Sequence, residues 1–420
     1  MALRRWLNVL FGVGMMGWLA AEGVGADWPQ WRGPQRNGVS QETGLLAAWP
    51  QEGPKLLWQI KGAGAGYSTP AVVGDQLYLI NNRGVDDEFV QARSTRDGSL
   101  VWERRIGKVG KPDQRPAYPG ARSTPTVAGD LVLALGSDGD LVCLDRATGQ
   151  TNWHKNLHSE YGGVAGQWAY SESPLVDGSV VVCTPGGEQA TLLAVDKETG
   201  SVVWKSAVPG GDAAGYASVI VVNTDGVKQY VQFLGKGIVG VDAKTGKFLW
   251  RYDRTGSGPA NMPTPVASDS FVYSAGGRTG AALLELAAKG NSVEAVEKYY
   301  SNKLPTAIGG SVIVNGYLYG TNSGGLMCVE LVSGDVKWQE RCVGQGSVCY
   351  ADGRLYVHGE NGDVALVDAN PAAYQEKGRF TPPQQPERKG QAWTYPVVAN
   401  GRFYLHDTGT IWCYDVKASP

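Results

Sequence analysis

The 420-residue sequence has only 5 methionines and no excess of either charge, with a formal net charge of −2. A nucleic-acid-binding surface normally requires a basic excess, so we expect no nucleic-acid partner. The sequence also lacks a Gly-x-Ser-x-Gly elbow, a phosphate-cradling glycine loop and a Cys-x-x-Cys-His haem motif. These absences exclude the enzyme classes that depend on those motifs.

Recognisable metal-ligand spacing is absent as well. His154 and His158 are four residues apart, but they follow a predicted strand, where helical ligand spacing does not apply. The acidic turn at Asp138 and Asp140 is explained by hairpin chemistry, because calcium needs six or more oxygens converging on one point. We therefore predict no metal site and no catalytic residue.

The first residues have the features of a secretory signal. A basic pair precedes an apolar stretch over residues 6–21, and small residues at Val24 and Ala26 fit a cleavage site. We expect residues 1–26 to be a signal peptide and the protein to be exported, to the periplasm or outside the cell. An uncleaved anchor is disfavoured, since the apolar run is short and broken by glycine. No later stretch is apolar enough to span a bilayer, so no transmembrane segment is expected after signal removal.

Glycine and tryptophan are abundant, with 59 and 14 residues, which is typical of many short strands joined by tight turns. A glycine turn recurs, followed within four residues by tryptophan; it is found at residues 97–102, 147–153, 198–204, 244–250 and 332–338. Upstream of these turns lie alternating apolar stretches, often introduced by a Ser/Thr-Pro pair. The pairs are Thr69-Pro70, Thr124-Pro125, Ser173-Pro174 and Thr264-Pro265.

One repeat corresponds to four antiparallel strands over about 40–50 residues, the period of a propeller blade. Inner strand sets and outer strands both number eight when counted along the chain. The first outer strand, at residues 56–60, precedes every inner set, and the last inner set has no outer strand after it. We therefore predict an all-β, eight-bladed β-propeller over residues 54–420, closed by the N-terminal strand, with an N-terminal extension at residues 27–53.

The repeated Thr-Gly-x-x-x-Trp motif, with an aspartate four residues before the glycine, resembles the PQQ-like (quinoprotein-type) repeat. That repeat occurs in quinoprotein alcohol dehydrogenases and in BamB-like outer-membrane assembly lipoproteins, and the resemblance covers roughly residues 27–418. It implies that a tryptophan of each repeat docks between neighbouring blades. The tryptophans expected to do so are Trp58, Trp102, Trp153, Trp204, Trp250 and Trp338.

The resemblance leaves two functional hypotheses. Quinoprotein dehydrogenases hold PQQ and calcium beneath a disulfide between adjacent cysteines, whereas this sequence has no adjacent cysteines and no long insertions. The non-dehydrogenase, BamB-like branch is therefore favoured: a monomeric scaffold that binds a protein partner or an extended ligand in the envelope, with no cofactor and no catalysis. The alternative is a PQQ-dependent alcohol or sugar dehydrogenase.

The six cysteines are open to two interpretations. Cys143, Cys328 and Cys413 occupy one repeat position and are expected to be free thiols that face a packed layer. Cys342 and Cys349 are close in sequence and could form a disulfide in an exported protein, or remain free. The aspartates at matched repeat positions are expected to cap turns; they are Asp145, Asp196, Asp242 and Asp368.

Loop length makes the predicted ring asymmetric. The gap from outer strand to inner strand is 22 residues after Trp102 and 20 after Trp153, but 11 after Trp58. Long loops that carry aromatic and cationic residues on one face are typical of a binding surface, although they could also simply cover the funnel mouth. The candidate binding residues are Lys111, Arg115, Tyr118, Arg122, His158, Tyr161, Trp168 and Tyr170.

Overall fold

The structure is a computed structural model, and it describes residues 26–111, 113, 120–258, 260–290, 292–383 and 391–419. These residues form eight sheets of four antiparallel strands each, arranged as the blades of a β-propeller. The predicted fold class is therefore confirmed. The predicted signal peptide lies outside the described residues apart from Ala26.

The strands fall into four concentric positions. The innermost strands are β2 (Ala71–Val73), β6 (Thr126–Ala128), β10 (Leu175–Asp177), β14 (Ile220–Thr224), β18 (Val266–Ser268), β22 (Ser311–Val314), β26 (Gly346–Ala351) and β30 (Val397–Ala399). The second strands are β3 (Gln76–Arg83), β7 (Leu131–Leu135), β11 (Val180–Cys183), β15 (Val227–Phe233), β19 (Phe271–Gly276), β23 (Tyr317–Asn322), β27 (Arg354–Gly359) and β31 (Arg402–Asp407). The third strands are β4 (Asp87–Ser94), β8 (Asp140–Asp145), β12 (Leu192–Asp196), β16 (Ile238–Asp242), β20 (Gly280–Lys289), β24 (Gly325–Glu330), β28 (Val364–Asp368) and β32 (Thr410–Asp415). The outer strands are β5 (Leu100–Lys108), β9 (Thr151–Asn156), β13 (Val202–Ser206), β17 (Phe248–Tyr252), β21 (Ser292–Ser301), β25 (Val336–Glu340), β29 (Glu376–Phe380) and β1 (Lys55–Ile60). Among the described residues there is a single short helix, α1 (Leu157–Tyr161), which follows β9.

The apolar core is divided among the interfaces between neighbouring blades. One cluster joins Ala92 of the first blade to Val132 of the second, and another joins Val182 of the third to Val239 of the fourth. Because each sheet packs on both faces, the second and third strands are nearly continuous apolar runs, and every residue of β7 is buried. The short strands are therefore held by contacts between blades as well as within them.

The ring is closed by the strand nearest the N-terminus. β1 pairs antiparallel with β32, with Trp58 opposite Cys413 and Gln59 opposite Trp412, which confirms the predicted closure. Just before β1, Gly53 lies against the ring of Phe380, where a Cβ atom would come within 2.5 Å. Closure pairs a strand edge that would otherwise be exposed to other chains.

Most of the outer-strand tryptophans join one blade to the next. Their indole N–H groups donate to backbone carbonyl oxygens of the next blade in five pairs: Trp58 with Thr95 at 2.8 Å, Trp102 with Arg146 at 2.9 Å, Trp153 with Lys197 at 2.9 Å, Trp204 with Ala243 at 3.2 Å, and Trp338 with Asn370 at 2.8 Å. Each acceptor lies just beyond the third strand of its blade. The hydroxyl of Tyr299 makes the equivalent bond to Leu331 at 2.8 Å.

Trp250 differs from the other five tryptophans. Its indole N–H donates to the side-chain oxygen of Gln229, in its own blade, at 2.5 Å. The residue opposite it is Gly240, where a Cβ atom would lie 2.1 Å from the indole nitrogen, so the missing side chain leaves room for this orientation. The ring is still buried in the interface between the fourth and fifth blades.

Small residues lie opposite the outer-strand tryptophans. Cys143 is opposite Trp153, Cys328 opposite Trp338 and Cys413 opposite Trp58, and the same position is Ala92 or Ala194 in other blades. Cysteine serves there as a small apolar residue beside an indole. All six cysteines are free, so Cys342 and Cys349 do not form a disulfide.

Three of the four matched aspartates hold the turns before the outer strands. Asp145 accepts hydrogen bonds from the Thr148 hydroxyl at 2.6 Å and N–H at 2.8 Å, and these bonds lower the pKa of Asp145. Asp196 and Asp242 are bonded in the same way to the threonines of their own turns. Asp368 instead forms ion pairs with two cations of its own blade.

Candidate functional site

An aromatic pocket lies where the connections from outer to inner strands converge. Its volume is about 120 Å³. The lining residues come from almost every blade and from the N-terminal extension: Trp31, Tyr67, Arg122, Trp168, Ser171, Tyr216, Met262, Ile308, Trp393 and Tyr395. We call this cavity the axial pocket.

One repeat position supplies much of the lining. It lies three residues before the proline that opens the innermost strand, and the pairs are Tyr67 and Pro70, Arg122 and Pro125, Ser171 and Pro174, Met262 and Pro265, and Trp393 and Pro396. Four of these prolines belong to the Ser/Thr-Pro pairs that were visible in the sequence, and the fifth follows Tyr395. Counting back three residues from each proline would have located this part of the pocket.

Hydroxyl residues just before the innermost strands, at the Ser/Thr position of the Ser/Thr-Pro pairs or, in the fourth blade, at Ser218, link the inner strands to one another. The Thr124 N–H donates to Ser173 Oγ at 2.8 Å, the Ser173 N–H to Ser218 Oγ at 2.9 Å, and the Ser218 N–H to Thr264 Oγ1 at 3.2 Å. Each bond joins one blade to the next and satisfies a buried backbone donor. These links set the spacing of the inner strands and therefore the width of the pocket.

The N-terminal extension supplies the floor of the axial pocket. The indole N–H of Trp31 donates to Thr264 Oγ1 at 3.1 Å, and the indole ring packs edge-on against Tyr395 with centroids 4.5 Å apart. Nearby, Trp28 pairs through its backbone with Val72 of the first innermost strand. A segment that the sequence placed ahead of the propeller is thus part of its candidate site.

Two buried arginines anchor this segment to the third and sixth blades of the ring. Arg36 donates to the Ser173 carbonyl at 2.8 Å, and Arg32 donates to the carbonyl of Ser311. Both arginines have positive φ angles, 56° and 59°, which turn the chain tightly between them. Burial lowers the pKa of Arg36 to about 9, while the charge of Glu172 acts in the opposite direction, so Arg36 stays protonated at neutral pH.

Arg122 is the cation of the axial pocket. Its guanidinium donates to the carbonyl of Trp168 at 2.7 Å, and burial lowers its pKa. Glu88, whose charge favours protonated Arg122, accepts from the Ser137 hydroxyl at 2.5 Å and N–H at 2.7 Å. Burial raises the pKa of Glu88 to about 7, so this carboxyl only partly offsets the positive charge at neutral pH.

The walls of the pocket are paired aromatic rings. Trp168 lies 5.9 Å from Tyr216, and its backbone N–H donates to the Tyr216 hydroxyl at 3.0 Å. Trp393 lies 5.3 Å from Tyr67 between centroids. The Tyr395 hydroxyl donates to the carbonyl of Ile308 at 2.9 Å. Several polar atoms of the wall therefore have partners within the protein, which leaves mainly ring faces for a ligand.

The axial pocket adjoins a groove above the fifth, sixth and seventh blades. The groove has a volume of about 430 Å³ and shares Trp168, Met262, Ile308 and Trp393 with the pocket. Farther along, its lining includes Arg278 and small residues, and we call this surface the lateral groove. Pocket and groove together offer an elongated surface.

The structure divides the predicted binding residues among several places. Arg122 and Trp168 line the axial pocket, whereas Lys111, His158 and Tyr170 line a separate pocket of about 250 Å³. Tyr161 is buried in the core between the second and third blades. Arg115 and Tyr118 lie outside the described residues.

The residues of the separate pocket hold their own loops in place. His158 Nδ1 lies 2.7 Å from the carbonyl of Gly163, and Lys111 donates to the carbonyl of Gly166 at 2.5 Å. The Tyr170 hydroxyl donates to the carbonyl of Pro185 at 2.8 Å. Their polar groups are thus used to order the long loops behind Trp168.

The part of the chain that the structure describes contains no group of three or more His, Cys, Asp or Glu residues that could hold a metal ion. Within the same residues, no helix is long and apolar enough to cross a membrane.

These features define the class of the protein: an eight-bladed propeller of PQQ-like repeats with an aromatic axial pocket. The model of the family described as outer membrane protein assembly factor BamB matches residues 34–169 and 114–340, more than half of the sequence. The chain belongs to this family.

Individual relatives are distant. The outer membrane protein assembly factor BamB of Yersinia pestis is 25% identical over 184 residues, which cover 42% of this chain and 41% of that protein. Among solved structures, BamB from Moraxella catarrhalis has a TM-score of 0.61 at 16% identity, covering 87% of this chain and 98% of that one. A quinohemoprotein alcohol dehydrogenase from Pseudomonas putida has a TM-score of 0.60 at 14% identity, covering 94% and 81%. At these identities the structural likeness shows the fold alone.

Proposed function

We propose that this propeller is a monomeric, non-catalytic scaffold of the cell envelope that binds a protein partner at the axial pocket and lateral groove. The observation that carries the proposal is the joined aromatic surface on one face of the ring. Aromatic residues are enriched at the centres of protein interfaces because they bury a large area with little loss of side-chain freedom. Membership of a family described by outer membrane protein assembly supports a role in the envelope.

The lining favours binding over catalysis. The described lining of the pocket and groove includes no Asp, Glu, His, Cys or Lys, the side chains that most often act as general bases or nucleophiles. Its ionisable groups are Arg122, Arg278 and tyrosines, and burial raises the pKa of Tyr216 and Tyr395. A neutral phenol with a raised pKa is a poor base.

The same surface fits the quinone cofactor of the dehydrogenases poorly. PQQ carries several carboxylates and is held together with calcium, so its site needs cations and carboxylate ligands together. The axial pocket offers Arg122 as a cation but has no carboxylate in its described lining. We therefore propose that the scaffold functions without PQQ.

A site-specific crosslinking experiment tests the proposed function. Ser323, which is exposed and lines the lateral groove, is replaced by a photoreactive amino acid in the full chain, expressed in the source organism. We expect a discrete crosslinked protein, identified by mass spectrometry. The matched control is Arg96, an exposed residue before a turn glycine, which should give no such product. Equal products from both positions, or none from Ser323, would contradict the proposal.

The dehydrogenase alternative has its own test. Purified protein is mixed with PQQ and calcium, and the reduction of an artificial electron acceptor by alcohols and sugars is followed. We expect no turnover and no quinone absorbance retained after gel filtration. Substrate-dependent dye reduction that is lost in an Arg122→Ala variant would overturn the scaffold proposal.

A further inference from the structure

We propose that the occupant of this surface is an extended acidic segment of a polypeptide, which places one large apolar side chain in the axial pocket and runs along the lateral groove past Arg278. This inference rests on the proposed function and specifies the chemistry of the partner. Three observations support it. Polar groups of the pocket are bonded within the protein, the groove carries positive charge, and the pocket and groove share one wall.

The axial pocket suits an apolar side chain. Its floor is the indole of Trp31, whose N–H is already donated to Thr264. The Tyr395 hydroxyl donates to a backbone carbonyl, and the Tyr216 hydroxyl accepts from a backbone N–H. A sugar ring needs several directed hydrogen bonds, whereas Ser171 Oγ is the side-chain polar atom of the described lining that is buried without a partner. A buried aromatic or aliphatic group needs only the ring faces that remain.

The lateral groove suits an extended chain that leads away from the pocket. It begins at Trp168 and Trp393, which line both cavities, so a ligand in the pocket can continue over this shared wall into the groove. Met262 also lines both cavities, and its flexible thioether adapts to varied side chains. Beyond it, the lining includes serine, threonine and glutamine residues, which can bond to a peptide backbone.

The charge of the surface selects acidic partners. Arg278 is exposed in the groove, and none of the residues that the structure describes forms an ion pair with it. Arg122 adds a second cation at the pocket end. The acidic residue at the wall, Glu360, is not among the described lining residues; its Oε1 accepts from the Trp393 indole at 3.3 Å and from Gln345 at 3.2 Å. An acidic segment therefore meets two arginines and no facing carboxylate in the described lining.

The test uses purified full-length protein and a displayed library of short random peptides. We expect the selected peptides to be enriched in Asp or Glu next to Phe, Tyr, Trp or Leu. A synthetic peptide from that selection is then compared with a version in which the acids are replaced by Lys, using the intrinsic tryptophan fluorescence of the protein. The basic version should bind at least about tenfold more weakly, because like charges meet in the groove.

Two substitutions at an exposed residue separate charge from folding. Arg278→Ser should weaken binding of the acidic peptide by about two- to fivefold, the range of one exposed ion pair, and Arg278→Glu should weaken it further. Arg96→Ser, on an exposed residue away from the groove, is the matched control and should leave binding unchanged. Trp168→Ala should weaken binding by at least about tenfold, and Met262→Ala tests the same wall with a smaller change.

The outcomes distinguish this inference from the proposed function. Selection of basic or uncharged peptides, failure to select any peptide, or equal binding by wild type and Arg278→Glu overturns the acidic-segment inference. A discrete crosslink at Ser323 would still support the scaffold in each of those cases. Preferential binding of oligosaccharides over the selected peptides would overturn the inference as well.

Discussion

The Trp31 indole packs edge-on against Tyr395, with ring centroids 4.5 Å apart, and this contact joins the N-terminal extension to the last blade at the floor of the axial pocket. The extension therefore packs against the ring and also forms part of the site. Any ligand that enters the pocket should meet this indole.

Trp31→Ala is expected to weaken both stability and binding. Loss of a half-buried aromatic contact should lower the free energy of unfolding by about 1–3 kcal/mol, and affinity for a selected peptide should fall at least about tenfold. Trp31→Phe keeps a ring face but loses the hydrogen bond to Thr264, so it should retain most of the affinity. Denaturant unfolding and fluorescence titration measure the two effects. Undiminished affinity in Trp31→Ala would remove the extension from the site.

Gly246→Ala is expected to destabilise the contact between the third and fourth blades. Gly246 has a φ of 70°, and a Cβ atom there would lie 2.5 Å from the ring of Trp204. The variant combines backbone strain with a steric clash, which together should reduce the free energy of unfolding by about 2–4 kcal/mol.

Gly226→Ala separates the two causes. Gly226 has a φ of 86°, but nothing lies within 4 Å of its would-be Cβ atom, so only the backbone strain should appear. We expect a loss of about 1 kcal/mol by urea denaturation. If both alanine variants lose the same stability, the tryptophan does not constrain its turn.

Trp58→Ala tests closure of the ring. The indole of Trp58 packs on Gly98 and bonds to Thr95 of the first blade, so its removal should cost about 3–5 kcal/mol. Leu57→Ala, at an exposed neighbour in the same strand, should change stability by less than about 0.5 kcal/mol. Deleting residues 54–60 should destabilise the whole domain. A deletion that unfolds at the wild-type temperature would show that β1 is dispensable.

The blade architecture could be predicted from the sequence because each blade carries its own local signals. Glycine turns, alternating apolar residues and the repeated tryptophan indicate four strands per repeat. The strand at residues 56–60 precedes the first inner set, which predicts that it completes the last blade, as it does. The repeat pattern did not predict the orientation of Trp250, which differs from that of the other outer-strand tryptophans. Its orientation depends on Gly240, a residue on another strand that no local motif identifies.

The candidate site was only partly predictable, because it is assembled from residues far apart in sequence. Arg122 and Trp168 were found through the two longest connections, but Tyr67, Met262 and Trp393 lie in shorter connections that loop length did not single out. Trp31 was missed because nothing in its sequence context shows that the extension folds into the ring. Lys111 and His158 were selected for their chemistry, which the structure uses to hold loops.

Glu88 predicts a pH dependence of stability. Burial raises its pKa in the folded protein to about 7, above the ordinary value of 4.5, so the folded state keeps a proton that the unfolded state releases. Its contribution to stability is therefore fully present below pH 4.5 and is lost as the pH rises through 7. We expect the free energy of unfolding to decrease from pH 5 to pH 8 by an amount on the order of 3 kcal/mol from this group.

Glu88→Gln should flatten that dependence, because the amide cannot ionise and can still bond to both the N–H and the hydroxyl of Ser137. Urea denaturation at several pH values between 5 and 8 measures the slope, which should be less negative in the variant by up to about one proton. Glu198→Gln, at an exposed residue, is the matched control and should keep the wild-type slope. Glu172, whose pKa burial raises to about 8, should add a second component at higher pH that both variants retain. Identical slopes in Glu88→Gln and wild type would mean that Glu88 ionises normally in the folded protein, and Arg122 would then face a fully charged carboxylate at neutral pH.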